Sequence, residues 1–436
     1  MSNPIPESVP HPDVTQFATS SVGICSALPS PQSSAPRNRT AAFELLCTCS
    51  TAPPNPEQIS RIASFQFADF DWPEFLRAAE HHGVAALVAR NLIDHASTLS
   101  SDVRRSLDSI YATNFRRSLW FAAELTRIMQ AFARNQIRAI PYKGPVLAQS
   151  AYGDLALRSF SDLDLLISPS DFFRAKQSLA GLGYQPSKPL TPAVERLWLK
   201  TGYERSFDGP AGKNLVELQW NLLPYFYAVD TKGAKFQFDE LWARAGRTAL
   251  SAGEVSDSAS ADSSGLPCLS LEDSLLILCL HAAKHLWTRL IWIADIAASL
   301  CRPDLDSARV IERARALGIT RILAVSVWLA QHLLEAAIPL AALRMLDDDP
   351  GAPRLGKEYL VRLACSATYD FESTKYFRET LHLRERRVDR MRYLWRLVWT
   401  PGPGDIDAVV LPESMFPAYR AVRIARLLRK LRSFSQ

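Results

Sequence analysis

The stretch KGPVLAQSAYGDLALRSFSDLDLLI, residues 143–167, contains the strongest structural signal of the chain. Near its end, acidic and apolar residues alternate before an apolar run, which predicts a β-strand with side chains on alternate faces. Asp162 and Asp164 then lie side by side on one face, while the leucine between them faces the core. Two carboxylates this close repel each other, and a hard cation with oxygen ligands, such as magnesium, relieves that repulsion.

A second short apolar run, residues 137–143, predicts another strand, which leads into a glycine and a short helix. Lys143 supplies a cation at this strand end, and Gly144 allows close backbone approach with free N–H groups, which suits a phosphate. Arg158 and Ser161 lie just upstream of the two acids. These four residues form the predicted phosphate-binding group.

A further strand is predicted at residues 215–220, LVELQW, where Glu217 alternates with apolar neighbours. Asp162, Asp164 and Glu217 would then give three carboxylates on adjacent strands, the ligand set of a two-metal phosphoryl-transfer site. An Asp-x-Asp pair is also common on solvent-facing sheets, so the pair alone does not separate a metal site from a solvated face. The neighbouring cations and Glu217 favour the metal site, with two magnesium ions or with manganese in their place.

Five segments differ in their residue pattern. Proline and serine dominate residues 1–38, which predicts a disordered tail. Helical periodicity over 39–135 predicts an N-terminal helical domain, and residues 136–225 form the strand-bearing core. Residues 226–436 are again helical, with a flexible insertion predicted at the Ser-, Ala- and Asp-rich stretch 251–266. The predicted fold class is α+β, a small mixed β-sheet between helical domains.

Composition is that of an ordinary folded protein. The 436 residues are 47% hydrophobic and 22% charged, which excludes global disorder. The seven cysteines are odd in number and scattered, so a secreted disulfide framework is excluded and a cytoplasmic location is predicted. Since no run approaches the roughly 20 apolar residues of a membrane helix, stable membrane insertion is not expected.

Basic residues are concentrated near the C-terminus. Residues 376–436 hold 12 Arg and one Lys against six acids, a net charge of +7, whereas the whole chain has +5. A helix is predicted at 418–434, with one apolar stripe: Ile424, Leu427, Leu428 and Leu431. Cations fall largely outside this stripe: Arg423, Arg426, Arg429 and Lys430. The stripe is predicted to pack on the preceding helices with the cations in solvent; the alternative is attraction of RNA or a lipid surface.

His281 and His285 lie four residues apart on a predicted helix and share one face. The spacing suits zinc, but the sequence offers no third ligand nearby. We predict instead a packed helix whose histidines, with Asp295, form hydrogen bonds at a domain boundary. In a further alternative this helix closes the nucleotide cleft, with Lys284 or His285 reaching the substrate.

The order of these features resembles the uncharacterised bacterial nucleotidyltransferase family of the DNA polymerase beta superfamily. Besides residues 143–167, the resemblance rests on three segments: HHGVAALVARNL (81–92), VELQWNLL (216–223) and HAAKHLWTRLIWIADIA (281–297). It covers approximately residues 41–300 and implies a nucleotidyltransferase core. By this resemblance Asp162 and Asp164 are metal ligands and Glu217 is the third acid. Lys143 and Gly144 correspond to the Gly-Ser turn that holds the nucleotide phosphates.

The resemblance implies an enzyme that uses magnesium to move a nucleoside monophosphate from an NTP to an acceptor hydroxyl. The acceptor is left open among a small molecule, an RNA end and a protein. Two positions depart from the family pattern: Pro145 removes one backbone N–H after the glycine, and Gln219 stands where the family usually shows histidine. These departures keep a second hypothesis open, a catalytically weak or inactive nucleotide-binding regulatory protein with the same fold.

Overall fold

The computed structural model describes residues 36–224, 227, 229–231, 234–250, 265–365 and 373–433. The predicted tail, residues 1–38, lies outside the described residues except for its last three, which begin the first helix. The predicted insertion, 251–266, also lies outside them apart from its last two residues.

Helices precede the sheet in the described part of the chain: α1 (Pro36–Thr48), α2 (Pro56–Ser64), α3 (Trp72–His81), α4 (Ala85–His95) and α5 (Ser101–Arg134). The start of α3 shows why the sequence begins a helix there. The Asp71 carboxylate accepts a hydrogen bond from the Glu74 N–H, and Pro73 occupies the first turn, where its missing N–H costs nothing.

The central sheet has five strands: β1 (Ala139–Pro141), β2 (Leu163–Ile167), β3 (Gln185–Pro186), β4 (Glu204–Gly209) and β5 (Gly212–Gln219). Their order is β1-β2-β5-β4-β3. Strands β2 and β5 run parallel and the other neighbours are antiparallel, so the sheet is mixed as predicted. The parallel register places Asp164 opposite Glu217. Strand β2 begins at Leu163, so Asp162 precedes it by one residue.

Short helices connect these strands: α6 (Gly144–Leu147), a π-helical turn (Ala148–Tyr152), a 3-10 turn (Pro169–Asp171), α7 (Phe172–Gly181) and α8 (Pro192–Thr201). The turn into α6 requires glycine, because Gly144 has a φ of 56°, in the left-handed region. A Cβ there would also meet the carbonyl oxygen of Asp162 at 3.4 Å. The chain after β1 is thereby held directly against the strand that carries the acids.

The C-terminal half is mainly helical. Short strands and one helix come first: β6 (Asp230–Thr231), β7 (Ala234–Lys235), α9 (Phe238–Ala243), β8 (Gly246–Thr248) and β9 (Leu266–Cys268). The remaining helices are α10 (Leu271–Lys284), α11 (Leu290–Leu300), α12 (Ser307–Leu317), α13 (Thr320–Leu334), α14 (Leu340–Asp347), α15 (Gly351–Ala364), α16 (Thr374–His382), α17 (Arg387–Trp399), α18 (Pro403–Ala408) and α19 (Tyr419–Ser433), with a 3-10 turn at Glu413–Ala418. The predicted α+β class is confirmed.

Across the residues that the structure describes, no helix combines the length and apolar character needed to cross a membrane.

The two largest hydrophobic cores of the described residues are joined by one helix, and a smaller core packs strands β1 and β2 against α9. Helices from both ends of the chain share the larger core, and Gln58 of α2 donates to the Leu334 carbonyl of α13 at 2.9 Å. The second core lies between one sheet face and helices α5 and α7. Helix α5 joins the cores, since Leu107 is buried in the first and Phe132 in the second. Each fully buried side chain of this size contributes about 2 kcal/mol to folding. The acids occupy the opposite face of the sheet.

The C-terminal helix α19 is present as predicted, but the expectation that its cations lie in solvent is wrong for two of them. Arg423 and Arg426 both bind the carboxylate of Asp405, whose side chain is fully buried in α18. Leu428, from the predicted packing stripe, is instead 53% exposed. The reason is that α18 presents a buried acid to α19, and neutralising it requires these arginines.

Candidate active site

Four carboxylates lie on one face of three neighbouring strands. Asp162 immediately precedes β2 and Asp164 lies within it. Glu217 is paired with Asp164 across the parallel β2–β5 ladder, and Glu204 of β4 is paired with Gln219. Asp164 is only 4% exposed, whereas the other three acids are partly exposed. The structure therefore brings the three sequence-predicted acids together and adds Glu204 as a fourth.

A buried amide lies among these carboxylates. Nε2 of Gln219 is 3.0 Å from Oδ1 of Asp164 and 3.1 Å from Oε2 of Glu217. The same nitrogen is 3.3 Å from Oε2 of Glu204. The Tyr142 hydroxyl donates to the Gln219 carbonyl oxygen at 2.5 Å, which fixes the amide with its nitrogen toward the acids. Gln219 thus organises the cluster at the position where the sequence departs from the family pattern.

The cluster holds more negative charge than its nearest cation neutralises. Nζ of Lys143 is 3.2 Å from Oδ1 of Asp164 and forms the ion pair of this site. Burial, followed by the charge of Asp164, raises the pKa of Asp162 to about 6. Burial, Asp164 and Glu204 raise the pKa of Glu217 to about 8. A bound cation would relieve the repulsion that causes these shifts.

The donor set fits a hard metal ion by its chemistry. Carboxylate oxygens are the ligands that magnesium and manganese prefer. Asp162, Asp164 and Glu217 are the residues that could hold such an ion, with Glu204 beside them. In the part of the chain that the structure describes, no three Asp, Glu, His or Cys side chains are already positioned around one metal position. The Gln219 amide and the Lys143 ammonium lie among the acids instead.

A cleft of about 910 Å³ opens over the acid cluster. Helices from outside the sheet supply its other walls: His81 from α3, Arg117 from α5, His281 and Lys284 from α10, and Trp292 from α11. Nζ of Lys284 donates to the Tyr203 hydroxyl at 3.3 Å, and burial lowers the pKa of this lysine. An acidic floor with cations around it suits a metal-bound polyphosphate.

The two histidines pack against each other and against tryptophan. The ring centroids of His281 and His285 are 4.8 Å apart, and Trp292 stacks on His285 at 4.9 Å. Burial, with the nearby cations Lys143 and Lys284 adding to it, lowers the pKa of both histidines well below the usual value. The helix is packed as predicted, but Asp295 accepts its hydrogen bonds from Arg158 and Tyr152.

Arg158 makes a contact that the sequence did not predict. Its Nε and Nη2 donate to the two carboxylate oxygens of Asp295 at 2.9 and 3.0 Å. The Tyr152 hydroxyl donates to the same carboxylate at 2.8 Å. Because both ion-pair partners are buried, this bidentate contact ties the strand-bearing core to α11. Arg158 still borders the cleft, and its nucleotide-binding role stays a prediction.

The other predicted phosphate-binding residues lie around the turn after β1. Lys143 and Ser161 line the cleft. Gly144 is buried beneath the Asp162 carbonyl, and Pro145 occupies the first turn of α6, where it offers no N–H. This turn therefore presents the lysine side chain to the cleft.

Sequence reasoning missed Glu204 and the partner of Arg158. A signal for Glu204 was present, because Glu204, Ser206 and Asp208 alternate along β4 and so share its outer face. The contact between Arg158 and Asp295 spans 137 positions and has no local sequence signature. It depends on how α11 packs against the core.

Comparison with known families gave one match. A family model described as "Uncharacterised nucleotidyltransferase" matches residues 68–335, more than half of the chain. This range contains the four carboxylates and helices α10 and α11. It also contains the segments on which the sequence resemblance rests. Neither the curated proteins nor the solved structures that were compared matched the chain.

Proposed function

The chain belongs to this family of uncharacterised nucleotidyltransferases, and from that premise we propose that it moves a nucleoside monophosphate from an NTP to an acceptor hydroxyl. The observation that supports this reaction is the set of four carboxylates, incompletely neutralised, on the floor of an open cleft. Such transfers depend on positioning and on charge neutralisation more than on covalent participation by the protein.

Asp162 and Asp164 are the proposed ligands of magnesium, or of manganese in its place, with Glu217 as the third acid. When bound, a pair of such ions neutralises the triphosphate and polarises the attacking oxygen. The raised pKa values of Asp162 and Glu217 support this assignment. Acids that resist ionisation in each other's presence lose protons readily when a cation compensates their charge.

Three cations are the proposed partners of the triphosphate oxygens: Lys143 beside the acids, Arg158 at the cleft wall and Lys284 on α10. They would hold the α-phosphorus above the acid cluster. In the reaction the acceptor oxygen bonds to that phosphorus, the bond to the β-phosphate bridging oxygen breaks, and pyrophosphate leaves. Glu217 would bind the second ion or accept the hydroxyl proton, because it lies beside Asp164 on the neighbouring strand.

Incubation with each NTP and magnesium tests the proposal, in the presence of small alcohols and sugars, RNA with a free 3′-hydroxyl, or protein. Released pyrophosphate and the mass of each acceptor are measured. We expect metal-dependent pyrophosphate release with at least one NTP. Asp239→Asn, at a carboxylate that is 76% exposed and outside the cleft, should keep this activity. NTP binding without pyrophosphate release would favour the alternative, a nucleotide-binding regulatory protein.

A further inference from the structure

Helix α17 exposes an apolar stripe that does not line the acid cleft. Val388, Met391, Trp395 and Val398 recur at intervals of three or four residues and so share one helical face. The first three are 65%, 67% and 64% exposed. Trp399, one turn beyond Trp395, stacks on it with ring centroids 5.3 Å apart. Contiguous exposed apolar surface of this kind marks an interaction site.

The opposite side of α17 is firmly anchored. Tyr393 and Leu397 are buried, and the hydroxyls of Tyr393 and Thr380 are hydrogen-bonded at 2.6 Å. Arg423 of α19 donates from Nε and Nη2 to the Leu397 carbonyl at 3.0 and 2.9 Å. The apolar stripe therefore belongs to a helix that is held in place, with α19 beside it.

Helices α17 and α19 are also strongly basic. Together they carry ten Arg and Lys residues and a single acid, Asp389. Arg392 pairs with Asp389 at 2.9 Å, and Arg423 and Arg426 share Asp405 of α18, yet the basic residues of the two helices still outnumber these two acids. The Arg420 guanidinium lies 5.4 Å from the centre of the Trp399 ring, which places a cation at the edge of the apolar stripe. The surface thus combines exposed aromatic and aliphatic groups with an excess of positive charge.

We propose that this docking surface, the α17 stripe with the exposed cations Arg387 of α17 and Arg420 of α19, binds an anionic lipid bilayer. Tryptophan side chains favour the membrane interface, aliphatic side chains enter the acyl boundary, and arginines bind the headgroup phosphates. RNA phosphates would neutralise the cations, but RNA has no hydrocarbon interior in which Val388, Met391 and Val398 could be buried. The proposal does not depend on the transfer reaction.

Cosedimentation of the full chain with vesicles tests the proposal. We expect vesicles of phosphatidylcholine mixed with phosphatidylglycerol to bind about 10-fold more tightly than phosphatidylcholine alone, and binding to weaken as salt rises. The double variant Trp395→Ser, Trp399→Ser should lose about 10-fold or more of this binding. Phe173→Ser with Val361→Ser is the matched control, since both side chains are exposed elsewhere on the molecule, and it should bind as wild type does.

A second pair of variants isolates the charge. The double variant Arg387→Gln, Arg420→Gln should lower binding to the anionic vesicles about 10-fold. Each basic residue near an anionic surface contributes about 1 kcal/mol or less to the binding free energy. The matched control is Arg105→Gln with Arg354→Gln, at exposed arginines on other helices. Circular dichroism melts of every variant check that the fold is intact.

Three outcomes would overturn the proposal. The first is equal vesicle binding by wild type and the tryptophan variant. The second is binding to an RNA oligonucleotide with no binding to either vesicle. The third is a dimer, seen by light scattering, that the tryptophan variant abolishes while vesicles remain unbound, which would assign the surface to a second copy of the chain.

Discussion

The cleft and the contact beneath it hold buried carboxylates in opposite ways. Asp295 is fully buried and accepts two hydrogen bonds from Arg158, so its charge is matched by one cation. In the acid cluster four carboxylates share one lysine and one amide, and the pKa values of Asp162 and Glu217 are raised. The first arrangement holds the molecule together. The second leaves charge for a ligand to complete, which is how functional sites differ from structural ion pairs.

The largest effect is expected from Asp164→Asn. Nucleotidyl transfer should fall about 10⁴-fold or more, equal to about 5.5 kcal/mol of transition-state stabilisation, because the central acid is lost. The free energy of unfolding should not fall, since one of several mutually repelling charges is removed. Pyrophosphate release and thermal melts measure the two quantities. If the Asp164→Asn variant kept wild-type turnover or lost its cooperative melt, the acid cluster would not differ in function from the structural ion pair of Asp295.

Asp295→Asn should act on stability first. It leaves the buried Arg158 guanidinium without its carboxylate, which costs about 3 kcal/mol or more in the free energy of unfolding. Urea denaturation measures this loss. The double variant Arg158→Met, Asp295→Leu should recover most of it, because neither charge then remains buried. If Asp295→Asn unfolds at the wild-type urea concentration, the pair is not the structural contact described above.

Gln219→Leu should have an intermediate effect. Without the amide that contacts three of the acids, their orientation is lost, and activity should fall about 10- to 100-fold, as for other groups that orient metal ligands. Tyr142→Phe should cost less, because it removes only the hydroxyl that orients the amide. The magnesium dependence of kcat is the measurement, and an unchanged dependence in Gln219→Leu would show that the amide has no such role.

The smallest effect is on the pH dependence of stability. Since the pKa of Glu217 is raised to about 8, the metal-free folded protein keeps a proton that the unfolded chain releases above about pH 4. The contribution of Glu217 is therefore fully present at low pH and is lost as pH rises to about 8. In chelator, the Tm of wild type minus that of Glu217→Gln should decline by a few degrees across this window. If this Tm difference rose with pH instead, the pKa of Glu217 would not be raised in the folded protein.

The sequence predicted that the three acids lie together, because the signal for each strand is local. Asp162 and Asp164 are two residues apart at a strand, and Glu217 alternates with apolar neighbours in another. Strand pairing then brings them together without further information. The two-residue strand β3 has no periodicity to detect, and helix α8 was not predicted.

Other features depend on packing that a sequence pattern does not specify. The contact between Arg158 and Asp295 arises only when α11 lies against the core. The apolar stripe of α17 has the same spacing as a buried stripe, so its exposure is visible only in the folded molecule. Likewise, the composition of α19 predicted its amphipathic character, but not that Asp405 would bind Arg423 and Arg426.

The register that sets Asp164 opposite Glu217 has a consequence for the order of folding. The two residues are about fifty positions apart, and parallel strands at such a separation pair slowly because a long loop must close first. A slip of one residue would turn Glu217 away and bring Val216 into its place. The acid cluster therefore forms only when this non-local pairing is complete. A chain still emerging from the ribosome before β5 is made contains Asp162 and Asp164 but not the site.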